Sequence, residues 1–372
     1  MKVCHLTSVH GTFDTRIFLK ECRSLAAAGF EMSLVSNHNK DEVIDGVHLI
    51  PVIRRSKGRF SRMFFYTWRI FFAALKTHSK IYHFHDPELF FVGICLRLLG
   101  KKVIFDVHEN VAGQIKNKNW LPLRNIFAFF YKLIDWLSAK FFYLVLAENS
   151  YLEIYSKISK RNIVILNMPD IEFLKPYIKT DRKIENRIDL FYVGGVSFER
   201  GIDVIVKALS ILKKHNVDVH FHCIGSLYDN MKTRIEEIEN YNDVKENITF
   251  YGKMKLDEAY KISLKCHIGL SILKPIENYK NSYSTKVFEY MAIGMPVITS
   301  DFELYKNVVE SNKCGYCINP ENADQLTSVI LEFEKKPELL KKMGKCGILA
   351  SEKLFNWNTE AQKLVEFYNK LE

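Results

Sequence analysis

"NSYSTKVFEYMAIGMPVITS", residues 281–300, places a carboxylate, Glu289, among Val287, Phe288, Tyr290, Met291 and Ala292. Those neighbours have helical character, and the pattern stops at Gly294, where a helix-terminating glycine belongs. Pro296 then opens a short apolar run, Val297 and Ile298, of the kind that becomes a buried strand. Glu289 therefore lies in the most apolar part of a helix that packs on a sheet. Burying a carboxylate without partners is costly, so Glu289 must find its donors in the protein or in a ligand.

The same alternation runs through the chain. Lys2 to Leu6, Met32 to Ser36, His48 to Ile53, Ile81 to His85 and Lys102 to Asp106 read as strands, with helices from Phe18 to Ala28 and from Leu89 to Leu99. Two prolines and no helical period mark "LNMPDIEFLKPYIKTDRKIENR" as a linker, after which Asp189 to Val193 restarts the pattern. Further strands follow at Val217 to Ile224, Ile248 to Tyr251, Ile268 to Ile272 and Val297 to Thr299. The expectation is an α/β protein of two doubly wound, parallel-sheet domains facing each other across a cleft. Residues 1–166 form the first, 167–188 the linker, 189–352 the second and 353–372 a closing helix. Ligands of such sheets collect at the carboxyl ends of strands, where "SVHGTFDTR", "HFHDPE" and "DVHEN" all fall.

Two loops of the second domain suit an anion. In "FYVGGVSFERGIDVIVKAL", residues 191–209, a strand leads into Gly194 and Gly195, and Arg200 precedes a helix beginning near Gly201. Glycines admit a phosphate close to the backbone, and a helix start and an arginine supply positive potential. A tight β-to-α turn explains the glycines equally well. In the opening stretch, Ser284 leads into a helix whose first N–H groups belong to Thr285 and Lys286, with Lys286 adding charge. One turn on, the two oxygens of Glu289 suit a pair of ribose hydroxyls. A capping glutamate would need Ser or Thr three residues earlier, where Lys286 stands. Gly225, Gly252 and Lys253, at the ends of the neighbouring strands, complete this candidate nucleotide-binding set.

Composition narrows the class. At 372 residues, 48% hydrophobic, the chain is globular, and a formal charge of +10 points to an anionic partner. Neither a signal peptide nor a transmembrane run is legible, and the eight cysteines read as reduced and buried. Residues 54–80 carry eight Lys or Arg and no acidic residue, with aromatics interleaved. Those aromatics fit a helix in an anionic membrane interface better than nucleic acid, the plainer alternative being a sheet-covering helix with snorkelling cations. The apolar "WLPLRNIFAFFYKLIDWLSAKFFYLVLA" is expected to be part core, part surface.

"RGIDVIVKAL", "NITFYGKMKLDEAYKISLKCHIGLSILKP" and "STKVFEYMAIGMPVITS" together resemble the nucleotide-binding half of a family 4 GT-B retaining glycosyltransferase. "TSVHGTFDTRIFLKECRSLAAAGFEMSLVS" resembles the first βα unit of bacterial surface-polysaccharide members (capsule, O-antigen, exopolysaccharide). "FNWNTEAQKLVEFY" resembles their terminal helix, which crosses back onto the first domain. The resemblance implies that Glu289 holds the nucleotide ribose, Arg200 contacts the diphosphate and His108 faces the donor sugar. It places Gly11 near the diphosphate and the acceptor. Two positions depart from it. Asn281 stands where the first glutamate of the E-x7-E motif contacts a sugar hydroxyl, and Gly195 where many members carry arginine.

His83, His85 and Asp86 raise the question of a metal. His83 and His85 share one face of a strand with no third ligand at metal spacing, so a pocket-lining or capping role is expected. No Asp-x-Asp pair is present to chelate a diphosphate-bound ion, in keeping with the family, whose members generally need no divalent ion. The resulting expectation is a retaining transferase moving a sugar from a nucleotide-sugar to a lipid-linked saccharide. It would need no cofactor or metal, and would act on the cytoplasmic face of the membrane in surface polysaccharide biosynthesis. The alternatives are a sugar-nucleotide 2-epimerase, which would need no acceptor, and a non-catalytic nucleotide-sugar-binding subunit.

Overall fold

The computed structural model describes residues 1–54, 58, 62–108, 124–227 and 229–371. Arg55, Lys57 and Arg59 of the basic run, and Glu109 and Asn110 of "DVHEN", lie outside the described residues. The chain divides into two compact units, Met1–Asn167 with Trp357–Glu372, and Met168–Asn356.

The first unit is built on an eight-stranded sheet in the order β3-β4-β2-β1-β5-β6-β7-β8. Its strands are β1 (Lys2–Gly11), β2 (Glu31–Asn37), β3 (Glu42–Ile44), β4 (Val47–Pro51), β5 (Ile81–Phe84), β6 (Lys102–Val107), β7 (Tyr143–Leu146) and β8 (Asn162–Val164). All pairings are parallel except β3 on β4, so the expected parallel sheet carries one antiparallel edge. Successive side chains of a strand point to opposite faces, and here both faces are apolar. Cys4, Tyr82, Phe105 and Leu144 pack on the side of the Thr67–Leu75 and Phe90–Leu98 helices. Val3, Ile81, Ile104 and Val145 pack on the side of Ile17, Phe18 and the Trp357–Lys370 helix. Two residues further along three of these strands, on this second face, the apolar layer gives way to His5, His83 and Asp106.

The second unit has a six-stranded parallel sheet of β9 (Ile188–Val193), β10 (Val219–Ile224), β11 (Ile248–Gly252), β12 (Ile268–Ser271), β13 (Val297–Ser300) and β14 (Gly315–Ile318). Their order, β11-β10-β9-β12-β13-β14, is the doubly wound 3-2-1-4-5-6 arrangement, with its switch point between β9 and β12. Three elements differ from the sequence reading. The residues read as a linker carry a short helix, Ile171–Leu174, capped by Asp170, and the buried Arg182, whose guanidinium donates to four carbonyls of the second unit. The closing helix starts at Trp357, because the preceding helix runs on to Lys353. The first helix is broken into Ile17–Cys22 and Arg23–Ala27.

Candidate active site

In the second unit the switch-point loops bring the predicted cations together. β9 runs into Gly194, whose φ of +142° only glycine adopts comfortably. A Cβ there would lie 2.7 Å from the Nζ of Lys286 and 3.3 Å from Nη1 of Arg200. The neighbouring loop is just as close. A Cβ on Gly225, at φ +154°, would meet the Gly194 carbonyl at 1.7 Å, and the Gly225 N–H donates to the Gly252 carbonyl. Gly194, Gly225 and Gly252 thus line up across the ends of β9, β10 and β11.

Lys286 is the unusual group. It is buried in the first turn of the Thr285–Ala292 helix, and its ammonium lies 3.9 Å from the centre of the Tyr192 ring. It has no hydrogen-bond partner among the described residues. Burial first, then the charge of Arg200, bring its pKa down to about 7, against a smaller upward pull from Glu289. The N–H groups of Thr285 and Lys286 are those a helix start leaves without intrahelical acceptors. Ser284, at the N-cap, makes no side-chain cap, and its own N–H is used by the Tyr305 hydroxyl.

The puzzle of Glu289 resolves here. It is half-buried rather than fully buried, and the Tyr260 hydroxyl donates to its Oε2 at 2.5 Å. That donor comes from the Leu256–Ser263 helix, a pairing nothing in the local sequence announced. One oxygen is thereby fixed, which orients the carboxylate. Asn281 is exposed just past the Glu277–Lys280 turn, and Lys253 is exposed beyond Gly252.

In the first unit, the three loops singled out in the sequence lie at the ends of adjacent strands β1, β5 and β6. Asp86 does not join His83 and His85, as the sequence grouping suggested, because its side chain turns to the end of β1. It accepts from the Thr7 hydroxyl and the N–H groups of Ser8 and Val9, and pairs with His10 at 2.8 Å. Burial alone would raise its pKa, but His10 and those donors offset it and hold the group at about 2. The arrangement fixes the last residues of β1, which ends in the exposed Gly11.

His108 is held by Asp106, its Nε2 lying 3.0 Å from Oδ2. Asp106 is buried and also accepts two hydrogen bonds from Arg16. His85 is not pocket-lining. It is buried behind His108, with its Nδ1 at 3.2 Å from both Asp106 and His108. His83 is equally buried, on the side of the Trp357–Lys370 helix, where it meets the Tyr368 hydroxyl. The sequence missed Arg16, Tyr260 and Tyr368, although "FDTR" beside a strand end held the arginine in view.

Two parallel-sheet Rossmann-like domains make this a GT-B architecture, and comparison with known proteins agrees. The family model described as Glycosyl transferases group 1 matches residues 176–349, and that described as Glycosyltransferase Family 4 matches residues 15–146. The chain is similar to an uncharacterized glycosyltransferase, MJ1069, of Methanocaldococcus jannaschii. The two are 23% identical over 332 residues, covering 86% of this chain and 81% of that protein. Among solved structures it is similar to the sucrose-phosphate synthase tll1590 of Thermosynechococcus elongatus, with a TM-score of 0.76 at 17% identity over 100% of this chain and 98% of the other. It is also similar to Alr3699/HepE of Anabaena, solved in complex with UDP and glucose, with a TM-score of 0.72 at 12% identity over 99% of each chain. The chain is a glycosyltransferase of the GT-B type, its first unit matching the family 4 model and its second the group 1 model.

Proposed function

We propose that this chain is a retaining glycosyltransferase whose donor is a nucleotide-sugar, with the diphosphate on Gly194, Gly195, Arg200, Thr285 and Lys286 and the ribose on Glu289. The observation that carries the reading is Lys286: a buried ammonium without an acceptor among the described residues, beside a second cation and two glycines. Such a group is costly in the empty protein and is satisfied by an anion. Alr3699/HepE binds UDP and glucose, which favours a nucleotide-sugar over other anions.

In the transfer, the acceptor hydroxyl forms a bond to the anomeric carbon as the bond from that carbon to the diphosphate breaks. The electron pair leaves with the phosphate. Arg200, Lys286 and the helix-start N–H groups meet the growing negative charge, and stabilise the transition state more than the ground state. The acceptor proton passes to the leaving phosphate on the same face, so no carboxylate nucleophile is called for, and the two cations take the place of a divalent ion. His108 and Gly11 are proposed as the first unit's contribution, with Asp106 fixing the His108 ring.

A lipid-linked saccharide in surface polysaccharide biosynthesis is the proposed acceptor, met at the cytoplasmic membrane face. Phe64, Phe65, Trp68 and Phe72 are 59%, 73%, 41% and 61% exposed on one basic helical segment, an arrangement that favours an interface helix. No helix among the described residues is long and apolar enough to cross a membrane.

The test is a thermal-shift screen of nucleotide-sugars, followed by product analysis with and without a membrane extract. A donor at a hundred times its Kd stabilises by about 2.7 kcal/mol. Acceptor-dependent sugar transfer with retained configuration is expected. A rearranged free nucleotide-sugar, formed without acceptor, would make the protein an epimerase. Binding without turnover would make it a binding subunit.

A further inference from the structure

Behind His108, on the second face of the first sheet, lies a group of side chains the transfer reaction does not use. His5 comes from β1, His83 from β5, His85 from the residue after β5, and Glu21 from the helical segment Ile17–Cys22. All but His85 are 0% exposed, and His85 is 2% exposed. One ligand atom from each lies within 4.8 Å of all the others. His5 Nδ1 is 2.9 Å from His85 Nε2, and Glu21 Oε2 is 3.9 Å from Nδ1 of both His5 and His83.

The hydrogen bonds of this cluster leave out Glu21 and one nitrogen of His83 among the described residues. His85 donates its Nδ1–H to the Asp106 carboxylate, so its Nε2 is the acceptor in the 2.9 Å bond to His5 Nδ1. His5 Nε2 and His83 Nδ1 both address the hydroxyl of Tyr368, at 3.0 Å and 2.7 Å. Among the described residues, neither oxygen of Glu21 and not Nε2 of His83 has a hydrogen-bond partner. Arg16 comes within 3.0 Å of Glu21 Oε1 without the alignment of a hydrogen bond, and it already gives two to Asp106. A buried carboxyl facing three imidazoles is a costly arrangement for an empty site.

We propose that His5, Glu21, His83 and His85 form a closed structural site for one divalent transition-metal ion, zinc by its ligand type. Three imidazoles and a carboxylate are a zinc donor set, and bonds of 2.0–2.1 Å would place tetrahedral ligand atoms about 3.3 Å apart. The separations of 2.9 Å and 3.9 Å bracket that value. The outer partners also fit. A metal-bound histidine usually gives its other N–H to a carboxylate, carbonyl or water, as His85 does to Asp106, while His5 turns its other nitrogen to Tyr368. The adjoining trio His85, Asp106 and His108 is the weaker candidate, because Arg16 already answers the Asp106 charge. With four protein ligands and no solvent-facing side, the ion would hold β1, β5 and the Ile17–Cys22 segment together beneath Tyr368 rather than perform chemistry. His5, Glu21, His83 and His85 are too far apart in sequence to read as a metal motif. The strand register that pairs His5 with His83 is what assembles them.

The test uses the untagged full chain, expressed in zinc- or cobalt-supplemented medium and purified without chelator. Elemental analysis should find one equivalent of metal per chain, and the cobalt form should show the visible bands of a four-coordinate site. Glu21→Gln and His83→Gln should lose the metal. If either variant does not fold, unfolded wild-type chain refolded with and without zinc gives the second reading. The zinc form should melt at a higher temperature. Metal-free protein from both media, with a melting temperature indifferent to zinc on refolding, overturns the proposal. So does full metal occupancy in folded Glu21→Gln.

Discussion

The loop ends of the two sheets solve opposite electrostatic problems. In the first unit two buried carboxylates are each surrounded: Asp86 by Thr7, Ser8, Val9 and His10, Asp106 by Arg16, His85 and His108. In the second, two cations, Arg200 and Lys286, lie together, and Lys286 has no acceptor among the described residues. A satisfied buried charge positions its neighbours and its removal damages the fold. An unsatisfied one waits for a counter-charge, and its removal damages binding instead. The comparison makes mutations in the two units distinguishable by what they break.

The largest effect should come from Arg16→Ala, which leaves Asp106 buried beside His85 and His108 without its guanidinium. Breaking one side of a buried ion pair costs about 3–5 kcal/mol. Denaturant unfolding should show that loss, and near-wild-type stability would mean the first unit is less tightly locked than its geometry implies. Next is Arg200→Ala, expected to cost about 2–4 kcal/mol in kcat/KM with stability little changed. Lys at that position should rescue only in part, because it lacks the bidentate fork, and Gly195 offers no second arginine to compensate. Unchanged turnover would take Arg200 off the diphosphate.

Glu289→Gln ranks third. An amide keeps the Tyr260 bond but loses charged acceptance from two ribose hydroxyls, where such bonds contribute about 1.5–3 kcal/mol. Donor affinity should fall while the melting temperature holds. A large stability loss with normal nucleotide binding would make Glu289 a structural group. Smallest is Trp68→Ser, on the exposed basic helix. Surface changes usually move stability by less than about 0.5 kcal/mol, yet co-sedimentation with anionic liposomes should drop. Liposome binding equal to wild type would leave that helix an ordinary exposed surface.

Much of the fold was legible because parallel strands buried on both faces leave short apolar runs, and β1, β9 and β13 could hardly be read otherwise. β7 was hidden inside the long apolar stretch around Phe141, where a helix, Arg124–Phe141, and a strand share the same residue types. β14, Gly315–Ile318, opens on a glycine and is only four residues long, too short to stand out as an apolar run. β3 could not be foreseen as antiparallel, since three residues carry no direction. Of the candidate site, Gly194 and Arg200 were legible because a glycine pair and a cation precede one helix start, and Lys286 because it stands in the first turn of another. Tyr260 on Glu289, and His5 with Glu21 beside His83, were not. Those meetings are made by strand register and helix packing, which join residues that no local pattern connects.

The central claim, that Lys286 awaits a diphosphate, has a direct signature in protons. With its pKa near about 7, Lys286 is largely neutral in the empty protein above that pH. In the unfolded chain lysine keeps its proton to about pH 10.4, so the unfolded state binds more protons between these values, and stability from this group rises with pH across that window. Ligand binding runs the other way. A bound diphosphate favours the ammonium, so donor binding must take up a proton above pH 7 and weaken as pH climbs. Calorimetric titration of the donor nucleotide-sugar at about pH 8, in two buffers of different ionisation enthalpy, reads this uptake. Wild-type protein should take up close to one proton per donor bound, and Lys286→Met should take up none and bind more weakly. Heats that do not depend on the buffer, together with wild-type affinity in the methionine variant, would contradict the account.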